Sequence, residues 1–376
     1  MDDRIQLKRM EIKGFKSIDS EGQTIEFQPI TVMLGANGAG KSNLVSFFKL
    51  LNAMMSGGLQ RHVADQGFAD ALLYFGGKNT PEIQARLQFQ STRSENEYEF
   101  VLERNAAGNL FFRDEKIQHK AKEMKAPRGR QFGSGSRESQ LKTIADAGDS
   151  YGRIAYSMVS GCRVFQFHDT SATAGIRGQV YKDDAKILRG DGGNLAAFLR
   201  GMRLRSQGRR YYDRIVRHVR QVIPQFEDFD LEPLSENEKY VRLNWRERGS
   251  DFLFGPHQLS DGSLRFVALA ALFMQPPDSR PKIIVVDEPE LGLHPAALSE
   301  LAGMVKAAAS VSQVILATQS CRLIDEFSAG QVLIVERRQD PPGSVFRRLE
   351  DDALAEWLAR YSLSELWEKN VFGGRP

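Results

Sequence analysis

The chain has 376 residues, 41% of them apolar and 26% charged, with 51 Lys and Arg against 48 Asp and Glu. That is the make-up of a soluble globular protein with enough chain for one large domain or two ordinary ones, and a net charge of +3 is too mild to establish nucleic-acid binding. No apolar run is long enough to span a bilayer, the opening has no secretory signal, and the two cysteines, Cys162 and Cys321, lie outside any metal spacing, so a reduced, cytoplasmic setting is expected.

The elements follow in chain order. Ile5 to Ile12 and Ile25 to Phe27 read as a strand pair with turn residues between them. Ile30 to Leu34 is a β-branched apolar run stopped by a glycine-rich loop, and Asn43 to Met55 has helical spacing. Alternation over 82–112 predicts two or three antiparallel strands. Residues 113–150 carry few large apolar side chains, so poor order is expected there. A strand returns at Arg163 to Phe167, one helix is predicted over Asn194 to Ile223 before Pro224, and Tyr240 to Trp245 is a further strand. Leu264 to Met274 and Ala296 to Ala309 are helical. Lys282 to Val286, Val314 to Ala317 and Gln331 to Val335 read as buried strands of a parallel sheet. Asp352 to Val371 is a helical face whose apolar side packs on its own domain or, alternatively, docks a partner. No internal repeat is visible.

Gly35-Ala36-Asn37-Gly38-Ala39-Gly40-Lys41-Ser42 fits G-x-x-x-x-G-K-[ST], followed by Asn43 at the helix start. Strand, loop and helix is the arrangement in which backbone N–H groups cradle phosphates, with Lys41 reaching the β- and γ-phosphates and Ser42 ligating Mg²⁺. Such a loop needs a metal-holding carboxylate on a neighbouring strand. Asp287, at the end of a buried apolar run, supplies it, and Glu288 next to it is suited to polarise an attacking water. Upstream, Leu259-Ser260-Asp261-Gly262-Ser263-Leu264-Arg265 reads as a helix start in which Ser260 caps and Gly262 permits close backbone approach to an anion.

Taken together these motifs resemble the RecF/SMC/OLD group of ABC-type ATPases. Ile12-Lys13-Gly14-Phe15-Lys16-Ser17 looks like the opening of RecF- and SMC-type ATPases, which places Lys16 and Ser17 among the nucleotide contacts. The Ser260 loop resembles the ABC signature, with Asp261 in place of its usual first glycine. Asp287-Glu288-Pro289-Glu290-Leu291-Gly292-Leu293-His294-Pro295 resembles the Walker B and D-loop of OLD-type ATPases. Ala317-Thr318-Gln319-Ser320 is similar to the switch segment, with Gln319 where a histidine is usual. Glutamine can hydrogen-bond a γ-phosphate but cannot take a proton, so turnover is expected to be slow or partner-dependent. Gln166, His168 and Asp169 are the candidates for the Q-loop contact to metal or water.

The resemblance implies an α/β fold: an ABC-type ATPase head with a P-loop core, mixed central sheet, antiparallel β-subdomain and helical signature lobe. The expected divisions are 1–170, 171–258, 259–345 and a helical extension, 346–376. It also implies composite sites, in which Ser260 and Gly262 of one chain touch the γ-phosphate of ATP bound to another, so that ATP and Mg²⁺ close a homodimer. No sustained heptads occur between Ser42 and Leu259, so a compact head is expected, and resemblance to relatives without a Toprim domain implies work with a separately encoded nuclease or effector in phage defence. Alternatives are a RecF-like repair protein, a nucleotide-gated scaffold of negligible turnover, and a transporter's ATPase subunit. Two basic stretches, Arg200 to Arg220 and the loop Lys116 to Lys142, are candidate DNA contacts.

Overall fold

The computed structural model describes residues 4–374. The chain opens with β1 (Gln6–Lys13), β2 (Gln23–Glu26) and β3 (Ile30–Leu34), then α1 (Lys41–Ser56), α2 (Leu59–Asp65) and α3 (Ala69–Leu72). An antiparallel meander follows: β4 (Glu82–Gln90), β5 (Ser94–Arg104), β6 (Leu110–Ala121) and β7 (Arg128–Gln131). Next come α4 (Leu141–Asp146), α5 (Ser150–Ser160) and β8 (Cys162–Phe165). The helical lobe holds β9 (Val180–Tyr181), α6 (Leu195–Leu204), α7 (Ser206–Val222), β10 (Phe226–Asp230), β11 (Tyr240–Val241) and β12 (Asn244–Glu247). The last stretch runs through α8 (Asp261–Met274), β13 (Ile283–Asp287), α9 (Pro295–Ala308), β14 (Gln313–Thr318), α10 (Cys321–Ile324), β15 (Val332–Gln339) and β16 (Pro342–Arg348), ending in α11 (Asp351–Leu358) and α12 (Leu363–Glu368).

The central sheet has the order β16-β15-β3-β14-β13-β8, with five parallel strands and β16 antiparallel at one edge. Residues 30–34, 283–287 and 313–318 are buried at every position, as strands covered on both faces must be. The second sheet, β2-β1-β4-β5-β6-β7, is antiparallel and buries alternate residues, which is why its pattern was legible. α1 lies between the sheets and fills the second core with Leu44, Phe47, Phe48 and Leu51. α8 is buried from Phe266 to Met274 and joins the first core.

Three expectations are corrected. Residues 113–150 are ordered by polar contacts rather than by apolar mass. Glu115, buried in β6, accepts bonds from Tyr98 Oη at 2.7 Å, Ser139 Oγ at 2.5 Å and Gln140 N at 3.0 Å, while Phe132 and Leu141 are buried. The stretch Lys116 to Lys142 is therefore largely the β6–β7 hairpin and α4. The single helix expected over Asn194 to Ile223 is two, because Arg205 takes an extended ψ of 131° and Gly208 packs so closely that a Cβ there would lie 2.5 Å from Met202 O. The Tyr240 to Trp245 strand is likewise split into β11 and β12, which pair with different partners.

Downstream of β16, Leu354, Leu363, Leu366 and Phe372 are buried against the first core, and Arg347 bonds the Phe372 carbonyl. The segment reaches the glycine-rich loop, where Ala36 N–H donates to Gly374 O at 3.2 Å.

Candidate functional site

Loops after the parallel strands β3, β8, β13 and β14 meet at the carboxyl ends of those strands, the usual place for a ligand in an open α/β sheet. The loop after β3 is shaped by glycine. Gly38 and Gly40 hold φ of 77° and 121°, in the region L side chains avoid. A Cβ on Gly35 would sit 2.2 Å from Val335 O, and one on Gly40 2.1 Å from Ser344 Oγ. Asn37 and Gly38 form the exposed crest, Ala39 is buried and Ser42 is exposed at the start of α1. That helix has no side-chain cap, leaving its dipole end to an outside anion. Lys41 is buried, its ammonium donating to Gly35 O at 2.6 Å and Ala36 O at 3.0 Å. Burial lowers its pKa, and the nearby Glu288, Asp287 and Glu290 oppose the shift.

Beneath the loop, Asn43 Nδ2 donates to Ser17 Oγ at 2.7 Å, and Ser344 Oγ lies 2.7 Å from Ser17 Oγ and 2.5 Å from Ala39 O. Ser17 and Asn43 thus brace each other beneath the loop. Lys16, at a left-handed φ of 48°, donates to Ser46 Oγ at 2.7 Å on α1, and burial lowers its pKa.

Asp287 ends β13. Its Oδ2 accepts from Gln166 Nε2 at 2.7 Å, while its buried Oδ1 has no hydrogen-bond partner among the described residues. Burial raises its pKa. A buried carboxylate oxygen left unpaired at the mouth of a phosphate loop suits a hard cation. No cluster of three or more His, Cys, Asp or Glu that could hold a metal is found among the described residues. His168 Nε2 lies 3.0 Å from Asp287 O. Asp169 is not brought into this cluster: it is exposed and bonds Ser171 N at 3.0 Å and Ser171 Oγ at 2.7 Å, closing its own turn.

Glu288 holds φ at 45°, strain of the kind that concentrates at functional sites. Gln319 Nε2 donates to Glu288 Oε1 at 2.5 Å, and Gln319 N–H donates to Glu290 Oε1 at 2.9 Å. Glu290 was not singled out from the sequence. It is half-buried, its Oε2 has no partner among the described residues, and burial raises its pKa against its bonds to Thr318 and Gln319. It stands in the Asp287-Glu288-Pro289-Glu290 run, whose spacing gave it no separate role.

Ser260 caps α8, accepting from Ser263 N at 3.1 Å. Gly262 lies so near the Gly292 turn that a Cβ would be 2.1 Å from Gly292 O. Asp261 is explained by a residue the sequence did not flag: buried Arg177 donates to Asp261 Oδ1 at 2.7 Å, Leu259 O at 3.1 Å and Thr170 O at 2.7 Å. Arg265 binds Phe167 O at 3.0 Å, His168 O at 2.8 Å and Leu291 O at 3.3 Å. Two arginines thus clamp residues 167–170 to the Ser260 loop, and Arg265 also holds the Leu291 turn. Among the described residues no hydrogen bond joins residues 259–263 to residues 35–43.

The first part of the chain, residues 9–154, matches a family model described as an AAA domain. Residues 192–325 match one described as "AAA domain, putative AbiEii toxin, Type IV TA system". No curated protein matches. The fold is similar to an Smc head bound to the C-winged helix domain of ScpA, with 18% identity, TM-score 0.58, and 92% of this chain and 99% of that one covered. It is also similar to a Pyrococcus furiosus Smc head bound to the C-terminal domain of ScpA, at 17% identity and TM-score 0.57 over 95% and 100% of the two chains. A third is the Smc head from Pyrococcus yayanosii, at 12% identity and TM-score 0.53 over 94% and 99%.

Proposed function

We propose that this ABC-type P-loop ATPase head, of the RecF/SMC/OLD-like kind, binds ATP with Mg²⁺ between two copies of itself and hydrolyses it. The observation that carries the reading is the unpaired, buried Asp287 Oδ1 beside Lys41 and Gln166, at the meeting point of four strand ends. Gly35 to Ser42 would wrap the phosphates, and Ser42, Asp287 and Gln166 would hold Mg²⁺, which offsets the charge of the phosphates. Glu288 orients and polarises the water, and Gln319, already bonded to it, responds to the γ-phosphate. Because no hydrogen bond among the described residues joins residues 259–263 to residues 35–43, Ser260 and Gly262 are assigned to the partner's nucleotide.

ATP-driven pairing would then control access to DNA or to a separately encoded effector. The basic face of α7 supports the DNA arm: Arg205, Arg210, Arg214 and Arg217 are exposed, and Arg210 and Arg214 flank the Tyr211 ring at 4.8 and 5.8 Å. We prefer an effector role over a repair role, in keeping with the description of one matching model as "putative AbiEii toxin, Type IV TA system". Among the described residues no helix is long and apolar enough to cross a membrane.

Steady-state turnover of wild type, Lys41→Ala and Glu288→Gln tests the ATPase. Lys41→Ala should lose nucleotide binding. Glu288→Gln should bind ATP and drop turnover by about 10²-fold or more, the scale of a lost general base. Wild-type turnover in Glu288→Gln would remove that glutamate from the mechanism.

A further inference from the structure

We propose that the groove between α1, α5 and the edge of β8 is a second anion site, which takes a nucleotide-type phosphate other than the one at the glycine-rich loop and signals its presence through Lys49. The groove encloses about 740 Å³, within the range of small-molecule sites, and none of residues 35–43 lines it. Lys49, Asn52 and Ser56 lie on successive turns of one face of α1 and form one wall. Tyr156 and Ser160 of α5 form the other, Arg163 of β8 sits at the base and Lys142 overhangs from α4.

Three cations share this space with one lining carboxylate, Asp191, which already accepts from Gly193 N at 2.9 Å. Arg163 is half-buried, no hydrogen bond or ion pair of its side chain is found among the described residues, and burial alone lowers its pKa. A desolvated guanidinium without a counter-charge is costly, and a phosphate is the partner its fork of donors fits. Asn52, Ser56 and Ser160 add neutral polar groups, while Met55, Val164 and the Tyr156 ring offer an apolar surface to a base.

The groove adjoins the catalytic cluster at Gln166, which lines it together with Lys49. Lys49 bonds Gln166 Oε1, and Gln166 Nε2 holds Asp287 Oδ2 at 2.7 Å. A phosphate that draws Lys49 into the groove frees Gln166 on one side, so the two sites influence each other reciprocally. This coupling rests on the ATPase reading of Asp287. The binding itself does not.

The test is a calorimetric titration with inorganic pyrophosphate on protein saturated with MgADP. About one pyrophosphate should bind per chain. The Lys142→Glu/Arg163→Glu variant should lose about ten-fold or more in that affinity, the scale of lost charge-assisted bonds, with MgADP affinity within about two-fold of wild type. Arg163→Gln, a milder change, guards against misfolding and should weaken pyrophosphate in the same direction. A parallel arm compares a 5′-phosphorylated oligonucleotide with its 5′-hydroxyl twin: a preference abolished by the double variant identifies a strand end, and no preference identifies a free nucleotide. No pyrophosphate bound beyond MgADP, or equal binding by wild type and both variants, overturns the site. Failure of MgADP itself to bind would count against the ATPase reading, and the wild-type-to-variant difference for pyrophosphate would still decide this one.

Discussion

At the scale of single residues, the site is a set of charges held in unfavourable surroundings. Asp287 and Glu290 are both raised by burial. A carboxyl with a raised folded pKa stabilises the fold fully below the unfolded value near ~4, and that contribution is lost as pH rises through the folded pKa. The contribution of these two carboxyls to the stability of the ligand-free protein should therefore fall as pH climbs out of the acid range. Magnesium needs Asp287 ionised, so the thermal shift produced by MgATP should be larger at pH 8 than at pH 5, with Asp287→Asn flattening the difference. A full wild-type MgATP shift in Asp287→Asn at pH 8 would exclude Asp287 as ligand. Glu290 holds the Gln319 backbone N–H, and a positioning role is predicted from that bond. Glu290→Ala should leave ATP affinity within about three-fold while lowering kcat by about ten-fold, the scale of one lost buried hydrogen bond at a positioned group. A loss confined to KM would refute that assignment.

At the scale of elements, what was legible is what chemistry forces into fixed spacing. The strand–loop–helix joint over Gly35 to Ser42, Asp287 at the end of β13 and Ser260 as the cap of α8 could be read because each motif sets particular residues next to one another. Residues that act across the chain were not legible. Arg177 meets Asp261 over 84 positions, Ser344 meets Ser17 over 327, and the chain alone does not announce either pairing. The order of residues 113–150 was missed for a related reason: one buried acid, Glu115, with three donors replaces the apolar run that periodicity can detect. The clamp by Arg265 yields a prediction of its own. Arg265→Ala removes its bonds to Phe167 O, His168 O and Leu291 O without touching residues 35–43. Nucleotide binding to the monomer should persist within about three-fold, while ATP-dependent pairing measured by sedimentation should weaken by about ten-fold or more, since charge-assisted bonds carry roughly 1.5–3 kcal/mol each. Unchanged pairing would mean that the Ser260 loop is positioned by its own helix alone.

At the scale of the whole molecule, the proposed nucleotide site is divided. Asp287, Glu288 and Gln319 gather near the glycine-rich loop of one chain, whereas the start of α8 meets Arg177 and the Gly292 turn and, among the described residues, no hydrogen bond joins residues 259–263 to residues 35–43. A two-fold pairing that is the same from both sides completes two sites at once, because each chain lends what the other lacks. Cysteine chemistry can read this directly. Cys162 is fully buried with its thiol pushed well above the ordinary range by desolvation and is inert; Cys321 is partly exposed and is replaced by serine. One Cys321→Ser chain then carries Asn37→Cys and a differently sized Cys321→Ser chain carries Ser260→Cys. With ATP, Mg²⁺ and a short bis-maleimide, the mixture should give a covalent product whose mass is the sum of the two, and neither chain alone should give its own dimer. A single chain bearing both cysteines would form the link internally if its own Ser260 loop closed over its own phosphates. Internal linkage together with no product from the mixture would show that one chain encloses its nucleotide, and the pairing model would fall while the catalytic assignments of Lys41, Asp287 and Glu288 could stand.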